Sequence, residues 1–323
     1  MIVDGHNDLV VRTWRGDEIR HVHLDAAAEA GFAGGFFALF VPSPRLAEPP
    51  PRSSHYALPL PDPLPGDEAA RVAEELYDIF RSLPVELATS AGDFRPERVA
   101  AVLHLEGAEP LAPDLSGLEA WYGRGLRSIG LVWSRANAFA EGVPFRFPSS
   151  PDTGPGLSGA GRRLVRACNE LGILVDLSHL NEAGFWDVAR LSTAPLVATH
   201  SNAHALCESS RNLTDAQLDA IGASNGVVGV NFGVSFLRAD GAQEAATPLE
   251  EIVRHVEYIA ARIGIDHVAF GSDFDGALVS QELGGIAGFP KLVGALRGSG
   301  FGEDAVEKIT HRNWLRVLGE TWK

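Results

Sequence analysis

Five side chains able to hold a divalent metal stand at the ends of short apolar runs: His6 and Asp8 in IVDGHND, Glu106 in VAAVLHLEG, His179 in ILVDLSH and His200 in PLVATH. Ionisable groups that terminate buried strands are costly to desolvate unless something pairs them, and a divalent ion does so. In an extended segment positions i and i+2 share a face, so His6 and Asp8 offer imidazole and carboxylate together while Asn7 points away. Any one of these residues could be an ordinary core or rim group. Their recurrence at strand ends points to a metallohydrolase.

The elements that must position them are legible as eight apolar, β-branched or aromatic segments at 1–4, 35–40, 99–105, 128–132, 172–177, 195–199, 226–231 and 267–271. Stretches of helical period lie between most of them, and such alternation argues for a parallel sheet. Eight units suggest an α/β fold closed into a (β/α)8 TIM-like barrel of the metal-dependent hydrolase type, one domain spanning 1–323. Helices are expected from Thr247-Pro248-Leu249-Glu250, with Thr as N-cap, from Thr214 with Gln217, and over 67–83. The proline-dense segment at about 41–65 reads as a loop insertion rising from the rim, where it could cover a substrate.

All five candidates fall at the C-terminal ends of strands one, three, five and six, and a barrel gathers those ends around one mouth. Five ligands exceed the roughly three or four that a single zinc takes from protein. Two ions fit better, with Glu106 as the bridge, His6 and Asp8 on one ion, and His179 and His200 on the other. Imidazole with carboxylate suits zinc, with manganese or cobalt as alternatives.

Composition narrows the remaining classes. The chain has 323 residues, 45% of them hydrophobic, enough for a sizeable core. A net charge of −15 without a basic run disfavours nucleic acid. No stretch of about 18 apolar residues is present to span a membrane, and Met1 opens an apolar strand rather than a signal peptide, so a cytoplasmic location is expected. Two cysteines, Cys168 and Cys207, give neither a disulfide framework nor a zinc ribbon. Lysine occurs only at 291, 308 and 323, so no carboxylated lysine on an early strand can bridge metals, as it does in many other amidohydrolase-like barrels.

The motifs DGHNDL, HLEG, GILVDLSHL, ATHSNAHAL, RNLTD and HVAFGSDFDG, in that order over nearly the whole chain, resemble the membrane (renal) dipeptidase family of zinc metallopeptidases. The resemblance implies a distorted barrel with a binuclear zinc centre, and its ligands agree with those reached from spacing. It further implies that Arg211 of RNLTD holds the substrate's free carboxylate, with Asn212 beside it among the substrate contacts, and that Asp273 serves the amine during proton transfer. A homodimer is common among relatives.

Each of these has a plainer reading. Arg211 could form a rim ion pair, and Asp275 before Gly276 looks like turn chemistry. One departure stands out: GLVWSRANAFAEG carries Trp133 where family members often have a substrate-contacting histidine, leaving Arg135 or Asn137 as candidate compensators. His104 shares a face with Glu106 and reads equally as a support for the metal ligands or as a buried histidine.

The expected activity is hydrolysis of a dipeptide, including one ending in a D-residue, by a hydroxide shared between two zinc ions, with Glu106 and Asp273 as catalytic residues. Alternatives are N-acyl amino acid deacylase or lactonase activity on a related barrel, or a barrel that binds metal without catalysis.

Overall fold

The computed structural model describes residues 1–43 and 54–323. Eight parallel strands form a nearly closed barrel, in the order in which they occur along the chain. They are β1 (Ile2–Asn7), β2 (Phe32–Phe40), β3 (Ala100–Glu106), β4 (Leu126–Gly130), β5 (Leu174–Asp176), β6 (Val197–Ala198), β7 (Val227–Val230) and β8 (Val268–Phe270). Every strand expected from the sequence is present.

The seam between β8 and β1 is held less by ladder pairing than by polar groups. The amide of Asp273 donates to the His6 carbonyl at 3.0 Å and that of Asp8 to the Phe274 carbonyl at 2.8 Å. Buried Asp4 accepts from the Ser272 amide at 2.7 Å and from the Ser272 hydroxyl at 2.6 Å. Burial still pushes the Asp4 carboxyl up to about 6, against those bonds.

Two layers of core follow from the period-2 alternation of the strands. Val3, Phe36, Val102, Leu174, Val197, Val227 and Ala269 form one buried cluster inside the barrel, joined by Trp314 from the C-terminal helix Asn313–Thr321. The indole N–H of Trp314 donates to the Phe270 carbonyl at 2.9 Å, so this large ring leaves no polar atom unpaired. Gly5 makes room for it, since a Cβ there would lie 2.5 Å from the Trp314 ring and 2.3 Å from the Thr199 carbonyl. Residues of opposite parity, such as Leu103, Leu105, Val175 and Val228, pack outward against the helices.

The helix expected over 67–83 forms as Gly66–Ser82, burying Val72, Leu76 and Phe80. Thr214 and Gln217 make the reciprocal capping box of helix Asp215–Ala223. The helix expected from Thr247 instead begins at Glu250. Its intended cap is engaged elsewhere: the Thr247 hydroxyl donates to the Glu244 carbonyl at 2.6 Å, and the Thr247 carbonyl accepts from Ser280 at 2.5 Å.

In the proline-dense segment, residues 44–53 lie outside the described residues. Beyond them, Tyr56–Ala57 pairs antiparallel with Arg146–Phe147, which carries the chain across the C-terminal rim. Among the described residues no helix is long and apolar enough to cross a membrane.

His255 ties the outer layer to the rim. Its Nδ1 accepts from the Ala203 amide at 3.1 Å, and its Nε2 donates to the Leu237 carbonyl at 3.0 Å, which fixes a neutral ring. Burial lowers its pKa from 6.5 to about 4. The folded state thus refuses a proton that the unfolded chain accepts, and stability is lost as pH falls from 6.5 towards 4. The stability advantage of wild type over His255→Gln, read from urea midpoints, should shrink by ~3 kcal/mol between neutral pH and about pH 4. A gap independent of pH would reject this account.

Candidate active site

Strand parity brings the predicted ligands to one point. On β3, His104 and Glu106 continue the inward face of Ala100 and Val102. On β1 the register against β2 shifts between Asp4 and Asn7, which lets His6 face inward although Val3, three residues earlier, also does. Asp8 follows the strand and precedes helix Leu9–Trp14. His179 lies three residues beyond β5 with φ of 67°, and His200 lies two beyond β6.

Glu106 stands at the centre. Its Oε2 is 3.6 Å from His6 Nε2, while its Oε1 is 3.2 Å from His179 Nε2 and 3.5 Å from His200 Nε2. Asp8 Oδ2 is 3.5 Å from His6 Nε2, and the His6 and His200 rings stack at 3.8 Å. Ligand atoms of His6, Glu106 and His200 lie within 4.8 Å of one another, as do those of His6, Asp8 and Asp273.

A supporting layer fixes the imidazoles. Thr199 has one hydroxyl proton, and Asp176 Oδ2 accepts it at 2.6 Å. His200 Nδ1, 2.8 Å from the Thr199 oxygen, must therefore be the donor, and its Nε2 carries the lone pair. Ser134 Oγ sits 2.9 Å from Nδ1 of His179. His104 contacts Ser128 through Nδ1 at 2.9 Å, has Nε2 3.7 Å from Asp176 Oδ2, and packs 5.5 Å from the His6 ring. It supports the ligands rather than joining them.

Burial lowers the pKa of His179 and His200 well below 6.5, with the charges of Arg211 and His6 acting in the same direction, so both rings are neutral. Burial would lower His6 too, but the Glu106 and Asp8 carboxylates more than reverse it. Glu106 is pushed up to about 7 and Asp273 to about 6, in both cases first by burial.

These residues fit a divalent metal centre. Both ring nitrogens of buried His6 lack a hydrogen-bond partner. The Nε2 atoms of His179 and His200 approach to 3.1 Å beside the Glu106 carboxylate, a donor set that suits a cation. Thr199→Val removes the acceptor that orients His200 and should weaken zinc binding by about 10- to 100-fold in chelator competition, with Thr199→Ser restoring most of it. Unchanged affinity in the Val variant would show that the hydroxyl plays no such part.

The cluster opens into a cavity of about 500 Å³ lined by Asp8, Glu106, His179 and Asp273 at its base. Phe40, Tyr56, Trp133, Phe145 and Phe236 form an aromatic wall, and Arg12, Arg15 and Arg20 stand at the mouth.

Comparison with known proteins bears directly on this arrangement. The sequence pattern of the membrane dipeptidase family (Peptidase family M19) matches residues 1–323. The chain belongs to that family. A metallo peptidase of Rhodobacter sphaeroides, solved with a phosphinate mimic of the dipeptide L-Ala-D-Ala, is 45% identical with a TM-score of 0.93 over 99% of both chains. An uncharacterized protein in the pqqA 5′ region of Klebsiella pneumoniae is 52% identical over 243 residues, 74% of this chain and 90% of that protein. The dipeptidase tcpJ of Claviceps purpurea is 30% identical over 335 residues, 98% of this chain and 76% of that protein. As a family member the chain is a metallo-dipeptidase, and the family implies a dipeptide substrate.

On the substrate side of the dipeptidase, the sequence-derived residues fall into two groups. Trp133 is in the cavity wall, its ring 5.8 Å from His179, 5.3 Å from Phe145 and 5.0 Å from Phe40. Asp273, at φ of 58°, lines the base and accepts from Asn231 Nδ2 at 2.8 Å. Arg211 is buried against Phe236 of that wall. Its Nη2 donates to the His200 carbonyl at 3.2 Å, its guanidinium lies 5.5 Å from the Phe236 ring, and its Nε has no partner.

Asn212 does not reach the cavity lining. Its amide donates to the carbonyls of Cys207 and Phe236, both at 2.9 Å, and so holds the loop that carries Arg211. Neither suggested substitute for a histidine at position 133 faces the substrate. Buried Arg135 bonds to Val41 and Ser43 and pairs with Glu109, while Asn137 folds onto Leu131, Phe139 and Ala140. Asp275 does more than turn the chain, because its carboxylate accepts the amides of Arg20 at 2.8 Å, His21 at 3.2 Å and Val22 at 3.0 Å. Sequence reasoning missed Thr199, Asp176, Ser134 and Asn231 as supports, and the arginines at the mouth. Only the adjacency of Thr199 to His200 offered a signal.

Proposed function

We propose that the chain is a binuclear zinc dipeptidase that hydrolyses short dipeptides, those ending in a D-residue among them. One observation carries this reading: Glu106 turns Oε2 to His6, beside Asp8, and Oε1 to His179 and His200. Bound there, the ions supply a Lewis acid for the scissile carbonyl and a water ionised near neutral pH.

The protein's own groups do the rest. Arg211 takes the terminal carboxylate through a forked, charge-assisted pair, which limits the substrate to short chains. Asp273 holds the amino end and takes the proton released as water adds to the carbonyl carbon. It passes that proton to the leaving nitrogen as the C–N bond breaks. A carboxyl raised to about 6 is matched to such transfer near neutral pH. Asn231 keeps the carboxylate in place, and Trp133 with Phe145 offers an apolar wall that excludes water.

Acceptance of a C-terminal D-residue is supported by the Rhodobacter sphaeroides relative, solved with a mimic of L-Ala-D-Ala. A carboxylated-lysine bridge, the device of many lactonases and phosphotriesterases, has no lysine before Lys291 to build it.

The test is a panel of L,L and L,D alanine-containing dipeptides beside N-acetyl amino acids, lactones and phosphotriesters, with and without added zinc. Zinc-dependent turnover of dipeptides alone is expected, and turnover of only the other substrates would reject the reading. Arg211→Ala should lower kcat/KM by about 100-fold for dipeptides with a free carboxylate and far less for their C-terminal amides. Equal effects on the two would remove Arg211 as the anchor.

A further inference from the structure

The cavity mouth is charged in a way that metal binding does not require. Arg12, Arg15 and Arg20, all from the segment after β1, line it in a chain whose net charge is −15. That segment is pinned rather than loose. Arg12 Nε donates to the Glu18 carbonyl at 2.8 Å and its Nη1 to the Asp275 carbonyl at 3.4 Å. The Asp275 carboxylate in turn holds the backbone amides of residues 20 to 22.

Arg12 already shares the Asp275 carboxylate, its Nε 3.9 Å from Oδ1, while the exposed Arg20 also lines the cavity. The acids at the base, Asp8, Glu106 and Asp273, face the metal positions, so their charge is answered there. An apolar substrate would make no use of this positive charge, whereas a substrate carboxylate would be drawn to it.

Barrel order says which part of the substrate comes near. Arg211 follows β6, Asp273 follows β8, and β8 adjoins β1 across the seam. With the terminal carboxylate towards β6 and the amine towards β8, the side chain closest to the β1 segment belongs to the amino-terminal residue. We propose that Arg12, Arg15 and Arg20 form a subsite for an acidic side chain on that residue, so that the preferred substrates are dipeptides beginning with Glu or Asp. This rests on the dipeptidase orientation given above.

The test compares Glu-Ala with Gln-Ala and Ala-Glu with Ala-Gln, using zinc-loaded wild type and an Arg15→Gln, Arg20→Gln double variant. Both arginines are exposed, so their replacement spares the core, and Arg12 is left in place because it holds the loop. Wild type should hydrolyse Glu-Ala with a kcat/KM at least about tenfold above that of Gln-Ala, the scale of one charge-assisted bond, and show no matching preference at the second residue. In the double variant that ratio should fall close to one, chiefly through KM. Three outcomes overturn the subsite: a ratio near one in wild type, a ratio that survives both substitutions, or a preference confined to the second residue. If none of the four is hydrolysed while N-acetyl amino acids or lactones are, the dipeptidase reading itself falls and takes the subsite with it.

Discussion

Replacing Glu106 with Ala should abolish dipeptide hydrolysis, on the order of 10⁴-fold or more in kcat, and with it tight retention of zinc. Among the described residues Glu106 is the one side chain whose two oxygens lie within 3.6 Å of imidazole nitrogens on both sides of the cluster. Without it His6 keeps Asp8 with Asp273 close by, while the Nε2 atoms of His179 and His200 keep only each other. Their neutral lone pairs then converge with no anionic partner between them, a poor site for a divalent ion.

The loss should not be mistaken for unfolding. Burial already holds the Glu106 carboxyl up at about 7, so the metal-free protein gains little from its charge and the variant's metal-free Tm should stay close to that of wild type. A ligand that binds only the folded state raises its stability by mass action. Wild type should therefore show a Tm that climbs with zinc concentration, whereas Glu106→Ala should show a flat response. A variant that stays active and still gains stability from zinc would remove Glu106 from the bridge.

Asp273→Asn should lower kcat by about 10² to 10⁴-fold while leaving zinc content intact. The substitution preserves shape. Asn tolerates the left-handed backbone at φ of 58° and can still meet the Asn231 amide after reorienting its own. What it cannot do is take up and release a proton. The alternative is written into the geometry, because Asp273 lies in the same 4.8 Å group as His6 and Asp8 and could be a ligand instead. Zinc analysis of the variant separates the roles: full zinc with slow turnover marks a proton carrier, and lost zinc marks a ligand.

The barrel was legible because its strands are nearly continuous apolar runs, the pattern of a sheet covered on both faces. The candidate ligands could be picked out because a His or carboxylate at the end of such a run is desolvated at a cost that a bound cation would offset. His6 and Asp8 do meet, although by a register shift and a helix start rather than by simple alternation.

What stayed hidden depends on contacts between distant segments. Thr199, Ser134 and Asn231 are ordinary polar residues until the fold places them against His200, His179 and Asp273. The helix expected at Thr247 shows the converse, since a good local cap lost to tertiary partners at Glu244 and Ser280. Asn212 shows how adjacency misleads: one residue from Arg211, its amide serves loop carbonyls instead of the cavity. The cationic mouth was invisible because nothing in the segment Arg12 to Arg20 announces that it is folded over the site by Asp275, more than 250 residues away.

Anomalous diffraction at the zinc edge from crystals of active enzyme tests the centre most directly. Two peaks are predicted, one between Glu106 and the His6–Asp8 pair and one between Glu106 and the His179–His200 pair. A single peak in a fully active crystal, or a protein that hydrolyses dipeptides with no metal at either position, would contradict the account.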